Sequence, residues 1–398
     1  MSNNSEETKE SAAYRAALEA TRLLRTSEIL SVSFSAPTDV NYSLLHNQRS
    51  VVDELTLTKL RDHPLDNVRI EVELDAGVTR QIFRKTCTID EPYTALGDEI
   101  CLPLTGPLIR SLRERLQTTI YTRVMWEDRV VHEETQRIAL LPVDEWFDDT
   151  NANPWLPSFV LPRDPAVARI IGDAKKYLIA LTDDPNAGFD GYQSVDVERN
   201  RSTAESTDRQ VQAIWTAIIN DRDLLYVNPP PAYSRQGQRL RTPSEVLDSS
   251  SGTCIDLSLL LAACLELVDI HACLVLLTGH CFVGYWRADE YHTDFMTVSR
   301  PPDVGDATVA DAARRSPMPL VDEYGWRLGP QSFDEIREHM KADELRMVEA
   351  TGLCFNYPFS QALEEGAENM TVGEDFDSLL DIRAARRSTP PVTPLPIL

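Results

Sequence analysis

Near residue 150 the spacing of apolar residues changes from the two-residue period of strands to the longer period of helices, so this chain should be built from two differently folded parts. Before the change, short runs rich in apolar and β-branched residues read as strands: Ile29–Phe34, Val51–Leu57, Val68–Leu74, Arg80–Thr86, Glu99–Leu102, Thr118–Trp126 and Arg129–Leu141. Turn residues separate them at Asp66-Asn67, Asp75-Ala76-Gly77 and Glu127-Asp128, the last joining a hairpin. Such a series predicts an antiparallel, immunoglobulin-like β-sandwich over residues 28–149. Ahead of it, residues 1–27 carry a helix over 6–25. A segment rich in Asp, Asn and Pro, 150–162 with its edge at Asp148, reads as a linker.

Past the linker the predicted elements alternate. Helices are expected at Pro165–Leu181, Asp208–Ile219, from Thr242 onward, over 255–268 and at Ser332–Lys341. Thr242/Glu245 and Ser332/Glu335 have the spacing of capping boxes. Strands are expected at Ala272–Thr278, Cys281–Trp286 and Glu344–Ala350, giving an α+β domain over 163–375. The four prolines beyond Ser388 mark 376–398 as a disordered tail or docking peptide.

The chain has 398 residues and a formal net charge of −24, which argues against binding nucleic acid or anionic membranes. The basic cluster worth naming is Arg383, Arg386 and Arg387, beside the proline-rich end. No apolar run reaches membrane-spanning length, and the polar, acidic start has no signal-peptide pattern. Seven cysteines, an odd number without regular spacing, fit a reducing cytoplasm better than a disulfide framework. His271, Cys273, His280 and Cys281 match no standard zinc spacing, so neither metal nor cofactor is expected.

Cys254 follows Gly252-Thr253 and opens the most apolar helix. Unpaired N–H groups and the helix dipole favour a thiolate there and could hold an oxyanion. A free cysteine is usually a buried structural residue. That reading serves for Cys264, Cys273 and Cys281, while the helix-start position separates Cys254 from them. His280, at the turn between two strands, is a candidate base, or a turn histidine bonded to backbone. Glu349, at the end of a strand, could orient His280; Asp294 competes, although Asp289–Thr293 reads as a hairpin loop remote from the ring. Gln238, upstream of the nucleophile helix, is a candidate oxyanion donor beside the Cys254 N–H.

In the order Cys, His, acid, the segments Gly252-Thr253-Cys254-Ile255-Asp256-Leu257-Ser258, Gly279-His280-Cys281-Phe282-Val283-Gly284-Tyr285-Trp286 and Val348-Glu349-Ala350-Thr351 resemble the transglutaminase-like superfamily of papain-like folds. The third has Glu and Ala where the family pattern has Asp and Pro. Asp190-Gly191-Tyr192-Gln193, Tyr226-Val227-Asn228-Pro229-Pro230 and Thr242-Pro243-Ser244-Glu245-Val246-Leu247 are similar to the N-terminal part of prokaryotic helicase-containing, defence-linked proteins, which also place a β-sandwich first. This chain stops where their helicase would begin and has no Gly-x-x-x-x-Gly-Lys loop, so the resemblance implies a separate ATPase or helicase partner. It also implies cysteine-dependent acyl transfer on a protein substrate, with peptide-bond hydrolysis favoured. Transamidation and a non-catalytic binding module on the same fold are the alternatives.

Overall fold

The computed structural model describes residues 29–398 except 41, 48, 77–78, 103–111, 148–152, 194–201, 229–236, 300–320, 323 and 397–398. The helix expected over 6–25 and the first residues of the expected linker lie outside the described residues. The chain divides into two compact units, Met1–Val143 and Asp144–Leu398.

In the first unit the described elements are β1 (Leu30–Ser35), β2 (Asp39–Val40), α1 (Tyr42–His46), β3 (Glu54–Lys59), β4 (Leu65–Asp75), β5 (Arg80–Ile89), β6 (Tyr93–Ala95), β7 (Leu116–Trp126) and β8 (Arg129–Leu140). They form a three-stranded sheet, β1-β3-β6, and a five-stranded sheet, β2-β8-β7-β4-β5. All pairs are antiparallel except β2 with β8. Strict alternation drives this: Val68, Ile70, Val72 and Leu74 of β4 are buried, while Glu71 and Glu73 reach Arg84 and Arg80 across the outer face at 2.6 and 2.9 Å. Glu127 and Asp128 both take positive φ, 47° and 58°, and make the two-residue hairpin turn. Two expectations fail here. Asp66-Asn67 is an irregularity within β4, with Asn67 at φ 61°, because the pairing resumes beyond it. Glu99–Leu102 is not a strand: Gly97–Glu99 winds into a 3-10 turn that buries Ile100 and Leu102 behind it.

The second unit contains β9 (Glu145–Phe147), α2 (Pro165–Thr182), α3 (Thr203–Asp221), β10 (Leu225–Tyr226), β11 (Gly237–Arg239), α4 (Pro243–Ser249), β12 (Ser251–Gly252), α5 (Cys254–Leu267), β13 (Ala272–Leu277), β14 (His280–Trp286), α6 (Asp289–Ser299), β15 (Arg327–Leu328), α7 (Phe333–Lys341), β16 (Leu345–Val348), α8 (Phe359–Glu368), β17 (Phe376–Asp381) and α9 (Ile382–Arg387). Its centre is an antiparallel sheet, β15-β17-β13-β14-β16, against which α5 packs. The chain is therefore α+β. No helix among the described residues is long and apolar enough to cross a membrane.

Both ends of the expected α+β domain require correction. The supposed linker is largely interior: Asn153–Phe159 forms a 3-10 helix that buries Trp155 and Leu156, and Val160 and Leu161 are buried after it. Trp155 packs edge-on to Trp326 at 5.3 Å, so apolar content outweighs the three prolines as a guide. The supposed tail begins with β17, which lies inside the sheet between β15 and β13. Val392 and Leu395 are buried beyond it, and the Leu395 N–H donates to the Ser158 carbonyl at 2.8 Å. Two smaller corrections concern helices. Asp289–Thr293 begins α6 and is no hairpin loop. Ser332 does not cap α7 through a box, because a 3-10 turn precedes it and its hydroxyl donates to the Gly329 carbonyl.

Candidate functional site

The site is assembled by one helix start, one hairpin and one strand end. Thr253 caps α5: its hydroxyl accepts from the Asp256 N–H at 3.3 Å, and the Asp256 carboxylate accepts from the Thr253 N–H at 3.0 Å. Asp256 is fully buried and also takes the Arg241 N–H at 2.8 Å and its guanidinium at 2.9 Å. Both oxygens of that carboxylate are engaged, by three donors in all, which fixes the first turn and the partly exposed Cys254 on it.

His280 is placed by a two-residue turn. Leu277 pairs with His280, and Gly279 between them takes φ +75°, a value glycine adopts without strain. Ser258, one turn into α5, donates to the Cys254 carbonyl at 2.7 Å and to the Cys281 carbonyl at 3.0 Å. One buried hydroxyl thus pins the Cys254 turn to the residue after His280. The Cys254 thiol is the first cause of the ring's raised pKa, and Nε2 lies 2.7 Å from Glu349 Oε2, which leaves Nδ1 for the sulfur.

Glu349 ends β16, which pairs with β14. Its side chain is nearly buried and saturated with donors. Oε1 accepts from the Thr351 N–H at 2.9 Å and hydroxyl at 2.6 Å, while Oε2 accepts from Asn369 Nδ2 at 2.7 Å besides His280. Burial alone would raise its pKa, yet the His280 hydrogen bond, the His280 charge and Thr351 bring it below the usual value. Asp294 is exposed on α6, and the carboxylate at His280 is Glu349.

The His280 pKa rises from 6.5 to about 10, through the hydrogen bond to Cys254 first and that to Glu349 next, against the lowering effect of burial. A raised histidine pKa contributes stability that is complete below 6.5 and lost as pH climbs through about 10. Cys254→Ala removes the leading cause, so the ring should titrate at lower pH in that variant. Proton NMR of the ring across this range checks it; an identical midpoint in both proteins would show that the thiol does not touch the imidazole.

Gln238 lies on β11, and its amide donates to the Thr253 hydroxyl at 3.2 Å, which places it on the residue before Cys254 but engaged on the helix cap. Sequence reasoning missed two contributors. Asn369, twenty positions after Glu349, carries no motif and reaches the carboxylate only because α8 returns along β16. Tyr226 pairs with Gly252 between β10 and β12, and the pKa of its hydroxyl is raised by burial first and by Cys254 next, which places it beside the thiol. An exposed aromatic in a short strand gave no signal beyond its place in the Tyr226-Val227-Asn228 run.

No His, Cys, Asp or Glu group among the described residues could hold a metal ion. No family model, curated protein or solved structure matches this chain.

Proposed function

We propose that the chain is a cysteine-dependent acyl-transfer enzyme acting on protein amides, with peptide-bond hydrolysis as its reaction. We take the first unit to be an immunoglobulin-like β-sandwich and the second a transglutaminase-like, papain-type domain. The observation that carries the reading is the imidazole of His280 held between the Cys254 thiol and the Glu349 carboxylate.

In this mechanism the proton that Cys254 and His280 share rests on the imidazole, as its raised pKa favours, and the Cys254 sulfur bonds to the amide carbonyl carbon. The carbonyl oxygen becomes an oxyanion that accepts from the Cys254 N–H. On collapse the C–N bond breaks, His280 gives its proton to the leaving amine, and a thioester remains. Water then attacks the thioester carbon, His280 takes its proton, and the C–S bond breaks to restore the thiol and release the acid. An amine in place of water would give transamidation. Glu349 keeps Nδ1 aimed at sulfur and compensates the imidazolium charge. A reducing cytoplasm suits an enzyme with no cysteine in a disulfide. A place in prokaryotic defence beside a separate ATPase or helicase rests on the sequence resemblance alone.

One observation favours the second reading, a binding module. The Tyr226 hydroxyl lies beside Cys254, in the space an oxyanion would need. Incubating wild type and Cys254→Ala with candidate partner proteins separates the readings by mass spectrometry. Cys254-dependent cleavage supports the peptidase and crosslinking the transamidase; no change with either protein defeats both. Thiol reactivity gives a quicker check. Burial raises the thiol pKa of Cys87 and Cys101 and pushes Cys354 up to about 11. Limited iodoacetamide at neutral pH should therefore alkylate Cys254 first. Alkylation of the exposed Cys101 while Cys254 stays silent would defeat the nucleophile assignment.

A further inference from the structure

At the end of α5 away from Cys254, a cavity of about 250 Å³ lies between Glu266, Asp269, His271 and the arginines of α9. Arg383, Arg386 and Arg387 recur at helical spacing and share one face, a local basic cluster in a chain with net charge −24. Their commitments differ. Arg386 is spent on structure: it grips Glu266 at 2.8 and 3.1 Å and donates to the Val160 and Val392 carbonyls, both at 3.0 Å. Arg383 is held loosely, 3.4 Å from Asp289 and 3.8 Å from Asp269, and its buried Nε has no hydrogen-bond partner. Arg387 is exposed and forms no ion pair or hydrogen bond among the described residues.

His271 adds a second, independent sign. Its ring is 3% exposed, yet neither nitrogen is hydrogen-bonded; the nearest carboxylate oxygen, Asp289 Oδ1, stands off at 3.5 Å from Nε2. Buried polar groups left this way are rare and call for an explanation. The ring lies edge-on between Tyr192 and His292, with centroids at 4.6 and 4.7 Å. Burial, then His292, Arg383 and Arg387, hold its pKa down to about 2, so it stays neutral and offers an N–H rather than a charge. Of the lining carboxylates, Glu266 is neutralised by Arg386; Asp269 and, from outside the lining, Asp289 both lie near Arg383, which leaves Arg387 with all its donors free among the described residues and Arg383 with a spare one.

We propose that this cavity binds a small oxyanion, the phosphate or carboxylate group of a metabolite, through Arg383 and Arg387 with His271 behind them. Guanidinium groups match such anions in geometry as well as charge. The site is separate from the cysteine centre, twelve residues or about 18 Å along α5 from Cys254. Calorimetric titration at constant ionic strength, with chloride as background, tests it using inorganic phosphate and, separately, succinate. Saturable one-to-one binding of either supports the site, and which one binds identifies the group. Arg387→Ala, which breaks no contact of the fold, should weaken binding about tenfold, the loss of one charge-assisted contact. Arg383→Ala should weaken it further. Cys254→Ala should bind as wild type does, so failure here and failure of the proposed acyl transfer are read separately. No saturable binding of either anion, or undiminished binding by Arg387→Ala, would overturn the proposal.

Discussion

Glu349→Gln should slow acyl transfer about 10⁴-fold, the scale seen when a triad carboxylate becomes an amide. The reason lies in the four donors around the carboxylate. Two come from Thr351 to Oε1, and two from His280 and Asn369 to Oε2. A glutamine can keep its oxygen toward Thr351, which turns its NH₂ toward His280 and Asn369. That NH₂ must donate to Nε2, so the ring proton moves to Nδ1. The imidazole then faces Cys254 with a donor and cannot take the thiol proton. One unpaired Asn369 donor should cost about 1–3 kcal/mol of stability, a loss that thermal unfolding would read separately. Where no substrate is yet in hand, the Cys254 alkylation rate at neutral pH serves as the readout. Unchanged alkylation and unchanged turnover in a folded Glu349→Gln protein would remove Glu349 from the site.

Ending the chain after Asp375 should abolish cooperative folding of the second unit. The cut removes β17, which pairs with β13 on one side and β15 on the other. Phe376, Leu379, Leu380 and Ile382 are all buried, and burying each such side chain stabilises by about 1.5–3 kcal/mol. Four of them match most of the marginal stability of an ordinary domain, about 5–15 kcal/mol. The bare edge of β13 would also present unpaired backbone groups as a template for aggregation. A fragment ending at Asp375 that unfolds cooperatively, with Cys254 as reactive as in the full chain, would show β17 to be dispensable. Limited proteolysis gives a companion result: residues 153–162 should resist cleavage, because the 3-10 helix and Val160 are interior.

How legible the chain was depended on how local the signal is. Alternation along β4 and β7, the Glu127-Asp128 turn, the Thr242 capping box and the apolar helix after Cys254 are decided by residues within a turn or a strand of one another. The same locality marked Cys254 at a helix start and His280 after Gly279. Where the reading relied on composition it failed. Prolines near 154–162 and beyond Ser388 suggested linker and tail, but burial of Trp155, Val160, Val392 and Leu395 decided otherwise. β17 was missed because six residues carry too little periodicity to separate a central strand from a loop.

The amino-acid sequence by itself thus determined the two-part build, the order of most elements, and the cysteine, histidine and glutamate worth examining. Only the tertiary structure decided their company. Asn369 and Tyr226 reach the site across the fold, Ser258 ties helix to strand, and the arginines of α9 line one cavity with His271. The physical reason is that propensity and capping act between neighbours in sequence, whereas these contacts form between residues that only β-sheet pairing and helix packing bring within hydrogen-bond range.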